Sequence, residues 1–395
     1  MPTHRTLASI AAELRLEKAV ASRLTSGHPW VYRNHVPRTF RARSGDWVRV
    51  RAGEFSAIGV WDAQSDIAVR IFSRKRVPDQ QWVDERVQSA WALRRPLLEQ
   101  GVSAFRILFG ESDGVPGVTV DFYAGHCLLT TMSDSLRRLV PWVSESLMKL
   151  PPVQSVLSRD PGVPGGLSTL AGTPPEAELA VEEYGMRMTV DLARGQKTGL
   201  FLDHRDNRAF LRKHARSARV LNLFSYTGAF SLAALEGGAL HVTSVDSAKP
   251  ALEAAENNFR LNGLDPANHD FACQDAFDWL AQARANRLTF DLVVSDPPSF
   301  AKRREQLPAA LKAYRRLSVA GLRVTRAGGL YAAASCTSPL SIERFKQVLE
   351  EAAQRVNLNF QVIHEGSQGQ DHPVLIAHPE SRYLKFVVGR VLPRF

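Results

Sequence analysis

The pattern of apolar and polar positions divides the chain into three regions. The first region alternates apolar and polar residues in GDWVRVRA and IAVRIFS, and the apolar run FSAIGVWD lies between these two segments. Alternation with a period of two is typical of strands that turn one face toward a core. We therefore predict a small β-rich domain over residues 1–76.

The second region mixes helical and strand patterns. In QWVDERVQSAWALRRPLLEQ the apolar residues recur with helical spacing and form one broad face. Three short strand-like runs follow, separated by the turns Asp113-Gly114 and Ala124-Gly125, and a helix is expected at about 134–149. This pattern predicts a small α+β domain over residues 77–189.

The third region, residues 190–395, alternates strand and helix patterns several times. Apolar runs such as RVLNLF, HVTSVD, FDLVVS and GLYAAASC are each followed by a helical pattern, and helices are expected at about 276–285, 309–326 and 341–355. Repeated βα units of this length predict a parallel sheet with helices on both faces, which is a Rossmann-like α/β fold. Ligands of such sheets bind beyond the carboxyl ends of the strands.

Positive charge is concentrated near the N-terminus. The chain has 50 Lys and Arg against 40 Asp and Glu, and residues 1–76 hold 14 of the basic and 6 of the acidic side chains, which gives +8 of the net +10. Such a basic region is typical of a surface that binds nucleic acid. Its residues His28, Trp30 and Arg33 combine aromatic and basic groups suited to base stacking and phosphate contact. A solvated basic face, with Trp30 in the core, is the alternative.

Several protein classes are disfavoured by what the sequence lacks. No run approaches the roughly 20 apolar residues that span a bilayer, and charged residues interrupt the N-terminal segment where a secretory signal would be apolar. The three cysteines, Cys127, Cys273 and Cys336, are far apart and have no metal-ligand spacing. We expect a cytoplasmic protein that contains no metal and does not bind a membrane.

Polar residues follow the first three predicted strands of the third region. The first strand leads into a turn ending at Gly228, where backbone amides can approach a ligand, although a GxGxxG fingerprint is absent. Asp246 ends the second strand 18 residues later, where a carboxylate can accept hydrogen bonds from ribose hydroxyls. Asp275 follows the third strand and could meet an adenine amino group. For Asp246 a helix N-cap role is the alternative.

Asp296 and Cys336 end the fourth and fifth predicted strands. Two prolines, Pro297 and Pro298, follow Asp296 and make a rigid loop that can hold the polar edge of a flat heterocycle. Cys336 places a thiol beside that loop, so we interpret it as a nucleophile. Cys127, by contrast, lies inside an alternating strand and is predicted to belong to the core.

The motifs NLFSYTG, SVD, QDA, DPPSF and SCT, in this order, resemble those of class I S-adenosylmethionine-dependent methyltransferases. With GHPWVY, FGESDGVPGVTVDFY and, most specifically, GQKTGLFLDHRDNR, nearly the whole chain is similar to bacterial 5-methylcytosine rRNA methyltransferases of the large-subunit methyltransferase I type. The resemblance implies an N-terminal PUA domain, a middle α+β domain and a catalytic domain that binds S-adenosylmethionine. It implies 23S rRNA as the substrate, free or in an assembling large subunit, and a homodimer is left open.

The resemblance also implies roles for individual residues. Cys336 would add to carbon 6 of cytosine, and Asp296 would hydrogen-bond its N3 edge. Where the wider 5-methylcytosine group often has a second cysteine, this chain has Pro298, so release cannot depend on a second thiol. The residues expected around the cofactor are Asn222, Phe224, Tyr226, Thr227, Gly228, Asp246, Ser247, Asp275, Ala276, Lys197, Thr198, Phe201, Asp203 and Arg205. Those expected on the RNA are Pro297, Pro298, Ser299, His28, Trp30 and Arg33.

Two other functions remain open at this point. An amino-group methyltransferase also uses an Asp-Pro-Pro loop, but the next residue is usually aromatic, whereas here it is Ser299, and Cys336 would have no role. A catalytically silent RNA-binding or ribosome-assembly protein would need neither the cofactor nor the carboxylates Asp246, Asp275 and Asp296.

Overall fold

The computed structural model describes residues 9–159, 166–176, 178–193 and 196–394, without the side chains of Gln196 and Lys197. The chain forms two compact units. The first unit comprises Met1–Val181, Asp191–Thr198 and Gln370–Ser381, and the second comprises Glu182–Val190, Gly199–Gly369 and Arg382–Phe395. The division into three domains at residues 76 and 189 stays a prediction.

The N-terminal part of the first unit is a five-stranded sheet with one short helix, α1 (Ala21–Thr25). Its strands are β1 (Ala12–Arg15), β2 (Trp30–Tyr32), β3 (Trp47–Ala52), β4 (Phe55–Trp61) and β5 (Ile67–Ser73). They lie in the order β1-β3-β4-β5-β2. Alternate residues of β3 and β5, among them Val48, Val50 and Val69, pack into one apolar core, as the period-two pattern predicts.

The rest of the first unit is built on a second five-stranded sheet. Its strands are β6 (Ala104–Phe109), β7 (Val118–Tyr123), β8 (His126–Thr131), β9 (Ser155–Arg159) and β10 (Leu167–Gly172), in the order β10-β9-β8-β7-β6. Helices α2 (Gln80–Glu99) and α3 (Val140–Met148) belong to this part, and a 3-10 segment, Asp134–Leu139, precedes α3. Cys127 is fully buried, as predicted, and burial raises the pKa of its thiol, so it is an inert core residue.

A seven-stranded sheet forms the centre of the second unit. A two-stranded sheet of β11 (Leu179–Glu183) and β12 (Met186–Val190) comes before it in the chain. The seven strands are β13 (Arg219–Leu223), β14 (His241–Asp246), β15 (Asp270–Cys273), β16 (Phe290–Ser295), β17 (Thr325–Ser335), β18 (Leu358–Gly366) and β19 (Lys385–Pro393). Their order is β15-β14-β13-β16-β17-β19-β18.

The first five strands of this sheet are parallel, as the βα pattern predicts. The expectation of a wholly parallel sheet is wrong at one edge, because β19 runs antiparallel to both β17 and β18. Between β18 and β19 the chain has a 3-10 turn, Pro379–Ser381, but no α-helix that could form a parallel crossover.

Alternate residues of the central strands divide between two apolar cores, one on each face of the sheet. Val220, Leu292 and Val388 enter one core together with residues of α4 (Arg205–Arg212) and α5 (Ala229–Glu236). Leu221, Val293 and Val387 enter the other core, which also contains residues of α7 (Ala276–Ala285), α8 (Leu307–Val324) and α9 (Ile342–Arg355). Helix α6 (Lys249–Leu261) connects β14 to β15 along the chain. Among the described residues, no helix is long and apolar enough to cross a membrane.

Candidate active site

The ends of β16 and β17 bring the Asp-Pro-Pro loop and Cys336 to the same edge of the sheet. These strands are parallel neighbours with Ser295 opposite Ala333. The loop after β16 also touches the segment after β17, since Ser299 Oγ lies 3.2 Å from Thr337 Oγ1. Pro297 is buried, whereas Pro298 and Ser299 are exposed. The predicted nucleophile and the predicted heterocycle loop are therefore adjacent.

The segment that carries Cys336 is held rigidly on both sides. Ser335 and Thr337 are fully buried, and both contact the hydroxyl of Tyr314, on α8. Ser335 Oγ donates to Tyr314 Oη at 2.9 Å, and Tyr314 Oη lies 2.8 Å from Thr337 Oγ1. Cys336 itself is half-buried. The flanking hydrogen bonds hold the backbone on both sides of this half-buried cysteine.

Asp296 has a histidine partner. Its Oδ2 lies 3.3 Å from Nε2 of His204, which is nearly fully buried. Nδ1 of that ring lies 3.0 Å from the amide nitrogen of Asn207, which also donates to the carbonyl of Ser367. Because the amide donates to Nδ1, the proton of a neutral ring is on Nε2, the nitrogen that faces the carboxylate. His204 therefore lies beside Asp296 at the end of β16 with a polar N–H on that side.

The turn between β13 and α5 has an unusual backbone. Phe224 and Tyr226 adopt positive φ values of 57° and 49°, and Gly228 has a φ of 79°. Non-glycine residues with positive φ are uncommon and concentrate at functional sites. A Cβ on Gly228 would lie 2.8 Å from Cβ of Ala255, so only glycine allows α6 to approach this turn.

Two buried polar atoms of this turn fit the amino-acid end of a cofactor. Among the described residues, Asn222 Oδ1 and Ser225 Oγ are buried side-chain atoms that have no hydrogen-bond partner. Such atoms are rare in folded proteins, because leaving them unpaired costs about 1–3 kcal/mol. The amide nitrogen of Asn222 donates to Ser231 Oγ at 2.9 Å, which fixes the orientation of the side chain. An ammonium or carboxylate group bound beside the N-terminus of α5 would satisfy these atoms.

Asp246 stabilises the same turn from the end of β14. Its Oδ2 accepts from the backbone N–H of Tyr226 at 2.8 Å, and its Oδ1 accepts from the backbone N–H of Ala248 at 2.9 Å. The side chain is half-buried, so a carboxylate with further lone pairs remains at the strand end. Ser247 is exposed beside it. The ribose contact predicted for Asp246 stays a prediction, and the structure adds a role in shaping the turn.

Asp275 caps a helix. Its Oδ1 accepts from the backbone N–H groups of Phe277 and Asp278 at 2.8 and 3.3 Å, at the start of α7. Ala276, the first residue of that helix, is buried. The predicted adenine contact of these residues stays a prediction, and one oxygen of Asp275 is assigned to the cap.

The segment after Gly199 is anchored by a buried arginine. Arg208 forms a bidentate ion pair with Glu183 and donates to the carbonyl of Phe201 at 2.9 Å. The Phe201 ring then packs edge-to-face against Tyr226, with ring centroids 5.4 Å apart. Asp203 Oδ2 accepts from the hydroxyl of Tyr383 at 2.5 Å. The structure thus brings Phe201 against the turn after β13 and Asp203 against the segment that precedes β19.

The other residues predicted from this segment have partners within the protein, or their side chains lie outside the described residues. Arg205 is fully buried, with its Nε 3.4 Å from Asp206. Thr198 belongs to the first unit, where its hydroxyl donates to the hydroxyl of Tyr123. The side chain of Lys197 lies outside the described residues. Cofactor contacts of Lys197, Thr198 and Arg205 therefore stay predictions.

His28 and Trp30 lie in packed surroundings within the first unit. His28 is nearly fully buried and its Nε2 lies 2.6 Å from Arg23, while the indole N–H of Trp30 donates to Glu111 at 2.7 Å. His28 and Glu380 form, with a second histidine, a cluster of metal-binding residue types, but the guanidinium of Arg23 donates to both His28 and Glu380 and supplies the positive charge there. The RNA contacts predicted for His28 and Trp30 stay predictions, and the structure adds these partners within the protein.

Arg33 instead lines an open cavity of about 610 Å³ on the first unit. Its guanidinium donates to the carbonyl of Ser65 at 2.8 Å and stacks over the ring of Trp61 at 4.7 Å. The cavity is also lined by Phe40 and by the exposed side chains of Arg38 and Arg41. Aromatic and basic groups therefore do meet on this unit, but mainly at residues that follow the predicted GHPWVY motif.

Comparison with known proteins places these features in a family. A family model described as S-adenosylmethionine-dependent methyltransferase matches residues 163–365, and one described as a PUA-like domain matches residues 14–74. A protein of Klebsiella pneumoniae (strain 342) named ribosomal RNA large subunit methyltransferase I is 33% identical over 397 residues, which cover 97% of this chain and 99% of that protein. The chain belongs to this methyltransferase family. A protein of the same name from Yersinia pestis bv. Antiqua (strain Angola) is also 33% identical, over 97% of this chain and 100% of that protein.

Solved structures of similar fold agree with the assignment of this chain to the methyltransferase family. SMU.776, a putative methyltransferase complexed with SAH, matches with a TM-score of 0.86 and 25% identity, over 96% of this chain and 100% of that one. A putative SAM-dependent methyltransferase from Streptococcus mutans matches the fold with a TM-score of 0.85 and 24% identity, over the same shares. The predicted PUA-like and Rossmann-like folds and the dependence on S-adenosylmethionine are confirmed.

The structure of the methyltransferase adds site residues that the sequence did not single out. His204 lies between two residues that were predicted, and Tyr314 is one of several aromatic residues on an amphipathic helix. Lys385 begins β19, a strand that was not predicted. The sequence did contain one indication of Lys385. It stands at the start of the apolar run FVV, where burial is expected, and a buried lysine usually has a specific partner.

Proposed function

We propose that this methyltransferase transfers a methyl group from S-adenosylmethionine to carbon 5 of cytosine in large-subunit ribosomal RNA. The observation that carries the proposal is the position of Cys336, which Tyr314 holds at the end of β17 next to the Asp-Pro-Pro loop. The names of the similar bacterial proteins support ribosomal RNA as the substrate class. The PUA-like match supports a part of the chain that holds RNA.

The chemistry requires a nucleophile because carbon 5 of cytosine is too weakly nucleophilic to take a methyl group unaided. The Cys336 thiolate forms a bond to carbon 6, and the electrons of the C5–C6 double bond move to carbon 5. S-adenosylmethionine, when bound, supplies the electrophilic methyl group. The carbon-5 proton then leaves to a base, the C6–S bond breaks, and its electrons return to sulfur as the double bond is restored at C5–C6.

Asp296 would hold the base and stabilise charge on it. Nε2 of His204 lies 3.3 Å from Oδ2 of Asp296, and we assign Oδ1 to the N3 edge of the pyrimidine. A carboxyl group protonated on Oδ1 would donate that proton in a hydrogen bond to N3 while carbon 6 is attacked. Pre-oriented donors of this kind stabilise developing charge more effectively than mobile water.

The RNA would be held by the basic N-terminal region, residues 1–76. A cytosine that reacts at carbons 5 and 6 must leave its stack, so the target is an unpaired or extruded base. The cavity lined by Arg33, Arg38, Phe40 and Arg41 offers cations and an aromatic face to the flanking single strand. Binding there would rest largely on phosphate contacts and therefore depend on salt.

The direct test is the identity of the methylated nucleoside. Protein-free large-subunit rRNA is incubated with the enzyme and radiolabelled S-adenosylmethionine, digested to nucleosides and separated by chromatography. We expect label in 5-methylcytidine. Label in an N-methylated adenine or guanine would contradict the proposal and favour an amino-group methyltransferase.

Matched cysteine variants separate the nucleophile from general thiol effects. Cys336→Ala should abolish labelling, whereas Cys273→Ala should retain it, because Cys273 is exposed and its Sγ only contacts the carbonyl of Ser247 at 3.7 Å. Full methyl transfer by Cys336→Ala would refute the covalent mechanism. Absence of S-adenosylmethionine binding by calorimetry would instead point to a catalytically silent RNA-binding protein.

A further inference from the structure

Lys385 is a buried lysine next to the proposed nucleophile. It opens β19 and pairs in the sheet with Ser335, the residue before Cys336. Only 4% of the residue is exposed. Its Nζ donates to the carbonyl of Thr337 at 2.6 Å and to the carbonyl of Tyr383 at 2.7 Å. An ammonium group has three N–H donors, so these two carbonyls leave one donor for a further acceptor.

The titratable groups around Lys385 indicate Cys336 as its negative partner. Burial lowers the pKa of Lys385 from its ordinary value to about 8, and interaction with the Cys336 thiol opposes this decrease. Tyr314 faces the same segment from α8, but burial raises the pKa of its phenol, so it stays neutral. Tyr383 presents its carbonyl to Lys385 and its hydroxyl to Asp203. The negative group that matches the buried cation is therefore the thiolate of Cys336.

We propose that Lys385 is a positioning residue that takes the thiol proton of Cys336 and holds the resulting thiolate as an ion pair before RNA binds. The S–H bond breaks, its electron pair stays on sulfur, and the proton moves to the neutral Nζ. Net charge is conserved within the pair and no further reactant is needed. This inference rests on the proposed role of Cys336 as the nucleophile.

Such a pair explains why a lysine, and not a neutral residue, is buried at this position. Two carbonyl acceptors could tie the ends of β17 and β19 together, but a neutral donor would do so without the desolvation cost of burying a charge. A nearby cation is also what lowers a thiol pKa below about 8.5 and makes the thiolate available at neutral pH. The site needs that thiolate before a cytosine is attacked.

The test measures the reactivity of Cys336 across pH in the full-length protein, without RNA. Alkylation by iodoacetamide follows the thiolate fraction, and peptide mass spectrometry separates the three cysteines. In the wild type we expect Cys336 to react with an inflection at least one pH unit below that of Cys273, an exposed thiol in the same chain. In Lys385→Met the inflection of Cys336 should rise by at least one unit, so alkylation at neutral pH should slow about tenfold or more.

Controls distinguish a counter-charge from a structural role. Lys385→Arg keeps a cation and should preserve a lowered inflection, whereas Lys346→Met removes a lysine that pairs with Glu365 and should leave Cys336 unchanged. Cys273 should react alike in every variant. Equal inflections of Cys336 in the wild type and in folded Lys385→Met would overturn the proposal. So would a wild-type inflection at or above that of Cys273, a result that does not depend on whether a variant folds.

This experiment separates the inference from the proposed function. A lowered, Lys385-dependent inflection in an enzyme that forms no cysteine adduct with RNA would support the ion pair and refute the covalent mechanism. An enzyme that methylates cytosine through Cys336, with the same inflection in the wild type and in Lys385→Met, would support the covalent mechanism and refute the ion pair.

Discussion

Removing the hydroxyl of Tyr314 tests whether the segment around Cys336 is held as the structure indicates. Tyr314→Phe keeps the ring, which packs against Phe300 and Phe345 with centroids 4.7 and 5.5 Å away. It deletes the one oxygen that contacts both Ser335 and Thr337, at 2.9 and 2.8 Å. The change therefore isolates two buried hydrogen bonds.

The magnitude follows from these two bonds. A buried hydrogen bond contributes about 0.5–1.5 kcal/mol net, so the free energy of unfolding should fall by about 1–3 kcal/mol. The catalytic effect should be larger, because Cys336 lies between the two freed hydroxyls and small displacements of reacting groups reduce rates by up to about 100-fold. We expect kcat to fall at least tenfold, while the affinity for S-adenosylmethionine changes little.

Urea unfolding and steady-state kinetics give the two quantities. Tyr32→Phe is the matched control, since the hydroxyl of this half-buried residue contacts the partly exposed side chains of Arg23, at 3.4 Å, and Glu380. Its unfolding free energy should change by less than about 0.5 kcal/mol. If Tyr314→Phe behaves like this control in both stability and kcat, the hydrogen bonds do not position Cys336 and the reasoning fails.

Three further predictions concern the cofactor turn and the basic N-terminal region, residues 1–76. Gly228→Ala should destabilise the protein by about 2–5 kcal/mol in urea titrations, because a positive φ and a Cβ only 2.8 Å from Ala255 add strain to overpacking; a loss below 1 kcal/mol would contradict this. Asp246→Ala should weaken S-adenosylmethionine binding in calorimetry and leave RNA affinity nearly unchanged, whereas an equal loss of both would indicate misfolding. RNA affinity should fall steeply with salt, and Arg38→Ala or Arg41→Ala should each reduce the slope of log K against log salt by about 0.7 in filter binding. An unchanged slope in both variants would remove the cavity from the RNA-binding surface.

The sequence predicted the parallel part of the catalytic sheet well because its strands and helices repeat with clear periods. The helix expected at 276–285 is α7, and those expected at 309–326 and 341–355 differ from α8 and α9 by at most two residues at each end. The reversed strand β19 was missed because its direction depends on pairing with β17 and not on a local pattern.

The candidate site divides in the same way. Asp296 and Cys336 could be predicted, since the carboxyl ends of neighbouring parallel strands meet wherever the βα order is known. His204 and Lys385 could not, because each reaches the site through contacts between residues distant in sequence: His204 with Asp296 and Lys385 with Thr337. Their roles depend on tertiary packing.

The RNA contacts predicted for His28 and Trp30 stay predictions, and the structure shows partners that the sequence did not indicate. His28 is buried and Trp30 donates to Glu111. Composition does not specify the burial or the partner of an aromatic side chain, because its apolar body and polar atoms suit both packed and exposed positions. The exposed Arg38 and Arg41, which follow in the chain, are further candidates for RNA contact.

The most direct test of the covalent mechanism is trapping on RNA that contains 5-fluorocytosine, with S-adenosylmethionine present. Fluorine at carbon 5 cannot leave as a proton does, so a cysteine adduct at carbon 6 should persist after methyl transfer. We predict a covalent, S-adenosylmethionine-dependent protein–RNA complex for the wild type and for Cys273→Ala, and none for Cys336→Ala. Absence of the complex from wild-type enzyme that still methylates RNA would contradict cytosine carbon-5 methylation through Cys336.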